Sequence, residues 1–132
     1  MENFILDSYS LLAYFEKEKG YEKVSKYLYL ASIGKADLLL NIINWGEIFY
    51  IILRTYGSSY ADLIEKEINA LPIKIIDADF NLTKQAAVFK SKNKMSYTDC
   101  FVASTAVNYK GVVLTGDSEF KEVENEINIE WI

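Results

Sequence analysis

The apolar positions of the chain change period repeatedly, and each change marks a new element. Phe4-Ile5-Leu6 is a short unbroken apolar run of the kind that forms a buried strand, and Asp7-Ser8 then opens a helix with Leu11, Leu12 and Phe15 on one face. Val24, Tyr27, Leu28 and Ala31 recur at helical spacing, which predicts a helix over 21–33 stopped by Gly34. Residues 36–40 predict a second strand, and the helix that follows around Glu47 ends near Gly57. Ser58 and Ser59 offer caps for another helix through Leu71, closed by Pro72. Ile73 to Ile76 alternates poorly and reads as a strand buried on both faces, with a helix over 79–90 after it. Ser96-Tyr97-Thr98-Asp99 matches a capping box ahead of a helix of small and apolar residues over 100–107. Val112-Val113-Leu114 predicts the next buried strand, and Ile127 to Ile132 an edge strand.

Alternation of this kind predicts a three-layer α/β/α sandwich with a mainly parallel central sheet. No internal repeat or linker interrupts it, so one domain over residues 1–132 is expected. The consequence is geometric. Asp7 and Asp117 each follow a strand at the carboxyl edge of the sheet, where ligands collect in open parallel sheets. Asp99 lies at a helix start that can face the same edge, and Glu47 interrupts an otherwise apolar helical run. Each acid also has an ordinary use: Asp7 as a helix cap, Asp99 in the capping box, Asp117 in the turn permitted by Gly116, and Glu47 in a surface pair with Arg54.

Composition narrows the chemistry. The chain has no histidine and one cysteine, Cys100, which excludes Ser-His-Asp and Cys-His catalysis, histidine-ligated zinc and an internal disulfide. A single cysteine suits a core thiol in a reducing cytoplasm. Met1 is not followed by a charged, then apolar, then small-residue leader, and the most apolar window, 38–53, falls short of the ~20 residues a membrane span needs. A formal charge of −5, with one arginine against thirteen lysines, argues against a broad basic face for duplex DNA. RNA is compatible with it, because Lys90, Lys92, Lys94 and Lys110 lie near Asp99 in sequence, where they either flank a cation-loaded cleft or form a solvated loop.

Four converging carboxylates repel one another and persist together only with bound cations, and an oxygen-only set without histidine or cysteine favours Mg²⁺ or Mn²⁺. Such ions activate water and neutralise a phosphodiester, which points to metal-assisted nucleic-acid hydrolysis. A catalytically silent module whose acidic pocket docks a basic tail is the alternative. A phosphoacceptor domain ranks last, since Asp7 lacks an acidic neighbour and the 112–117 segment lacks a lysine.

Phe-Ile-Leu-Asp-Ser at 4–8, Asn-Trp-Gly-Glu-Ile at 44–48, Ser-Tyr-Thr-Asp-Cys at 96–100 and Leu-Thr-Gly-Asp-Ser-Glu-Phe at 114–120 together resemble the PIN-domain nucleases, most closely the VapC-like toxins of type II toxin-antitoxin pairs. The resemblance covers nearly the whole chain and implies a PIN-like fold and a metal-dependent endoribonuclease. By that resemblance Asp7, Asp99 and Asp117 ligate metal, Glu47 binds metal or positions water, and Glu119 is an accessory acid in the outer shell. Ser8 and Thr115 match the family's small polar residues beside the site. The same resemblance implies a homodimer held silent by a VapB-like antitoxin. Trp45, Phe49, Tyr50 and Tyr56 would supply apolar area for a partner, with Phe49 read as core.

Overall fold

The computed structural model describes all 132 residues. In chain order the elements are β1 (Asn3–Leu6), α1 (Ser8–Glu16), α2 (Tyr21–Ser32), β2 (Asp37–Asn41), α3 (Ile42–Tyr56), α4 (Ser58–Ala70), β3 (Ile73–Ile76), α5 (Phe80–Lys92), α6 (Tyr97–Asn108), β4 (Val112–Thr115), a 3₁₀ segment (Ser118–Val123) and β5 (Asn128–Trp131). Every strand is followed by helical chain before the next begins, so each pair must run parallel, and all of them do. The strand order is β3-β2-β1-β4-β5.

Period-two alternation along the strands divides the core in two. Phe4, Leu6, Leu38, Leu40 and Leu114 face α1 to α4, where Leu11, Val24, Leu28, Ile48, Ile52, Ile64 and Ile68 meet them. Ile5, Leu39 and Val113 point the other way, into a cluster with Leu82 and Ala86 of α5, Phe101 and Val102 of α6, and Phe120, Val123 and Ile127. This is the three-layer sandwich, with a sheet that is wholly parallel. Residues Asp99 to Ala106 of α6 are all buried, because Cys100, Ala103, Ser104 and Ala106 are small enough to let the helix sink between α5 and the sheet. Cys100 is a free core thiol. No helix is long and apolar enough to cross a membrane.

Three local expectations are corrected. β3 is an edge strand with no fully buried residue, not one buried on both faces: Lys74 and Ile75 are exposed, and Lys74 reaches Asp37 of β2 at 3.0 Å. Helix α4 is not capped by a serine hydroxyl. Gly57, at φ 91°, is its N-cap and leaves Ser58 already inside the helix. Lys110 lies at the far end of α6, ahead of β4, and so at the edge of the sheet opposite Asp99.

Candidate metal centre

The order of strands reverses between β1 and β4: the chain builds outward from β1 through β2 to β3, then returns to add β4 and β5 on the other side. At such a switch point the connections leave in opposite directions, and a crevice opens beyond the carboxyl ends of the two strands. Asp7 follows β1 and Asp117 lies just beyond β4, so both stand over this crevice.

Asp7 is 1 % exposed and uses both of its oxygens. One caps α1 by accepting the Ser10 N–H at 2.8 Å, and Ser10 Oγ returns the bond by accepting the Asp7 N–H. The other accepts the Thr115 hydroxyl, tying β1 to β4 across the switch point. Burial pushes the Asp7 pKa up to about 6 against the pull of these bonds, with the Asp117 charge adding to the rise. Cap and site are therefore one residue.

Asp99 is held differently. Ser96 caps α6 by accepting the Asp99 N–H at 3.2 Å, as the capping box predicts, but the reciprocal bond is not made by Asp99. The Ser96 N–H instead donates to Glu119 Oε1 at 2.8 Å. The Asp99 carboxylate is thereby left to its acidic neighbours. Asp99, Asp117 and Glu119 bring ligand oxygens within 4.8 Å of one another. Burial first, then the neighbouring Asp117, Asp7 and Glu119, together push the Asp99 pKa up to about 9. A desolvated carboxylate crowded by three others lacks a positive charge, and nothing in the chain supplies one: the two ion pairs are Lys23–Glu130 and Lys74–Asp37. An oxygen-only donor set in that state fits a hard divalent cation.

Glu47 stands apart from the three-carboxylate group and forms no pair with Arg54, whose guanidinium lies 5.3 Å above the Tyr50 ring. One Glu47 oxygen accepts the Ser8 hydroxyl, and the other accepts the Thr98 hydroxyl at 2.9 Å. Ser8 follows Asp7 and Thr98 precedes Asp99, so Glu47 is fixed by the immediate neighbours of two buried aspartates. Its polar surroundings are hydroxyls. Glu119, read from sequence as an outer acid, lies within the carboxylate group itself. Thr98 and Asn44 are the site residues that the sequence reading missed. The only signal for them was a hydroxyl beside Asp99 and an amide one helical turn before Glu47. Of the partner-surface aromatics, Phe49 stacks on Trp45 at 5.3 Å and both pack against the core, whereas Tyr50 and Tyr56 are exposed.

A parallel α/β sandwich with carboxylates over its switch point and no histidine anywhere offers oxygen donors alone to a metal ion. More narrowly, the chain is a member of the PIN-domain family, whose profile matches residues 4–126. Solved structures share its fold along nearly their whole length. VapBC2 from Rickettsia felis, bound to a promoter DNA fragment, superposes with a TM-score of 0.76 at 16 % identity over 98 % of each chain. VapC20 from Mycobacterium tuberculosis, a sarcin-ricin loop cleaving toxin, gives 0.74 at 12 % identity over 94 % of this chain and 95 % of that one. A toxin-antitoxin complex from Klebsiella pneumoniae gives 0.67 at 13 % identity, covering 96 % and 94 %. Comparison with curated protein sequences finds no match.

Proposed function

We propose that this chain, as one PIN-like domain, is a divalent-metal-dependent endoribonuclease and the toxin of a toxin-antitoxin pair. The observation that carries the reading is the crowding of buried Asp99 with Asp117 and Glu119 at the switch point, with Asp7 beside them. Family membership and the likeness to VapC20, which cleaves the sarcin-ricin loop, support it.

Asp99, Asp117 and Glu119 would hold Mg²⁺ or Mn²⁺; Asp7 lies outside that group of three, and its charge acts on Asp99 and Asp117 from beside it. When bound, the ion supplies Lewis acidity and a nucleophile from water at neutral pH. Thr115 fixes the direction of the Asp7 carboxylate by occupying one oxygen, and the α1 cap fixes the other. Glu47, anchored by Ser8 and Thr98, would join the ion's ligands or orient the attacking water and accept its proton. Single-stranded or looped RNA suits an acidic chain without a broad basic face, since its backbone can enter a narrow cleft. A VapB-like antitoxin with a basic residue facing the acids would silence the site in the cytoplasm, and a homodimer is the expected assembly.

The test is cleavage of a mixed cellular RNA pool by the partner-free protein with Mg²⁺, Mn²⁺ or a chelator. Discrete metal-dependent cuts are expected. Asp99→Asn removes a ligand charge without changing shape and lowers the rate by about 100-fold or more. A folded protein that cuts nothing under any metal would instead favour the silent docking module.

A further inference from the structure

From Glu119 to Ser8 a run of hydrogen bonds passes through Ser96, Thr98 and Glu47, and Thr98 is its joint. The Thr98 hydroxyl donates its single hydrogen to Glu47 Oε2 at 2.9 Å. Its oxygen, 3.2 Å from Ser96 Oγ, must therefore be the acceptor in that contact. Ser96 in turn accepts the Asp99 N–H and gives its own N–H to Glu119. At the other end the second Glu47 oxygen takes the Ser8 hydroxyl. Thr98 also binds α3 through its backbone, because Asn44 Nδ2 donates to its carbonyl at 3.0 Å. That is the one bond the buried Asn44 side chain makes; its Oδ1 has no partner. Asn44 and Glu47 sit one turn apart on α3, so Thr98 is gripped twice by the same helix.

We propose that Thr98 is a positioning residue for Glu47: its hydroxyl, with its backbone clamped by Asn44, sets the carboxylate against the acid cluster. The inference rests on the proposed metal-dependent nuclease and adds to it the device that aims Glu47. A carboxylate on a three-bond side chain sweeps a wide arc when free, and donors from α1 and α6 on opposite oxygens remove that freedom. Each oxygen keeps one lone pair for water or for the coordination sphere. A directional chain of hydroxyls also polarises along its length, which strengthens the bond that ends on Glu47.

Thr98→Val keeps the shape and removes the donor; Thr98→Ser keeps the donor and removes the methyl. In the partner-free full chain, Thr98→Val is expected to lower kcat on an RNA cut by the wild type, and Mn²⁺ affinity measured by calorimetry, by about 10- to 100-fold, as loss of an outer hydrogen-bonding partner typically does. KM for the RNA stays close to wild type, Thr98→Ser restores most of both losses, and Thr98→Val added to Glu47→Gln costs almost nothing more. Wild-type kcat and Mn²⁺ affinity in Thr98→Val would overturn the proposal, as would equal damage from serine and valine or full additivity with Glu47→Gln. If the wild type cuts no RNA, the nuclease reading fails while the Mn²⁺ isotherms still decide the role of Thr98. If Thr98→Val loses cooperative unfolding, Thr98→Ala removes the same hydroxyl and is read in the same way.

Discussion

Asp99 and Asp7 carry charges that folding makes harder to keep. Both have an ordinary value near 3.8, and in the folded chain burial, with the neighbouring carboxylates adding to it, lifts them to about 9 and about 6. The folded state therefore binds more protons than the unfolded state between these limits, and stability falls as pH rises through them. With a chelator present, the melting midpoint is expected to be lower at about pH 8.5 than at about pH 5.5. A midpoint that rises over that interval would refute the burial of these acids. Saturating Mn²⁺ should flatten the fall, since a ligand at a hundred times its Kd stabilises by about 2.7 kcal/mol. Asp99→Asn should flatten it without metal. Thr115→Val leaves a buried Asp7 oxygen unpaired and is expected to cost about 1–3 kcal/mol in chemical denaturation, with the Asp7 pKa rising further. The placing of Asp7 and Asp117 at the carboxyl edge was legible because Asp7 directly follows β1 and Asp117 comes two residues after β4. Thr98 and Asn44 were not, since their bonds join positions 51 and 54 residues apart and leave no periodic trace.

Helix α6 shows what a small-residue sequence does once it is placed. Its buried run brings the first turn, and Asp99 with it, down to the strand ends. The helix itself was legible from composition and its capping serine; the diversion of the Ser96 N–H to Glu119 was not, because the 3₁₀ segment that carries Glu119 is adjacent only in space. Burial of β3 was misread for a related reason, as apolar content identifies a strand but not its rank in the sheet. Close packing also separates two glycines. A Cβ on Gly111 would lie 2.9 Å from the Asn3 carbonyl oxygen, a backbone atom fixed by strand pairing. Gly111→Ala is expected to cost about 1–3 kcal/mol. At Gly116 the added carbon would meet the ring of Tyr9, which is 39 % exposed and free to swing outward, so Gly116→Ala should cost less. Denaturant midpoints of the two variants give the comparison, and equal losses would contradict it.

For the molecule as a whole, alternation of strand and helix was enough to foresee the sandwich, whereas the strand order that creates the crevice emerged only from the fold. The outer side of α3 shows Tyr50, Leu53 and Tyr56 at three-residue spacing, and Leu63 of α4 is exposed as well. If these helices carry the homodimer interface, sedimentation should give twice the 15.1 kDa of the chain, and Leu53→Lys should return it to monomer. A dimeric Leu53→Lys variant would exclude that face.

The bond from Thr115 to Asp7 spans 108 residues of sequence. Asp7 leaves the ribosome first and waits for almost everything else: β4 must emerge and slide in beside β1 before Asp117 and Glu119 arrive to complete the cluster. Since chains begin folding from the N-terminus during synthesis, a nascent chain carries one of these acids after another but no assembled cluster until β4 and the segment carrying Glu119 are made. If the chain cuts RNA as proposed, the order of its strands leaves it without an assembled site for as long as β4 is unmade.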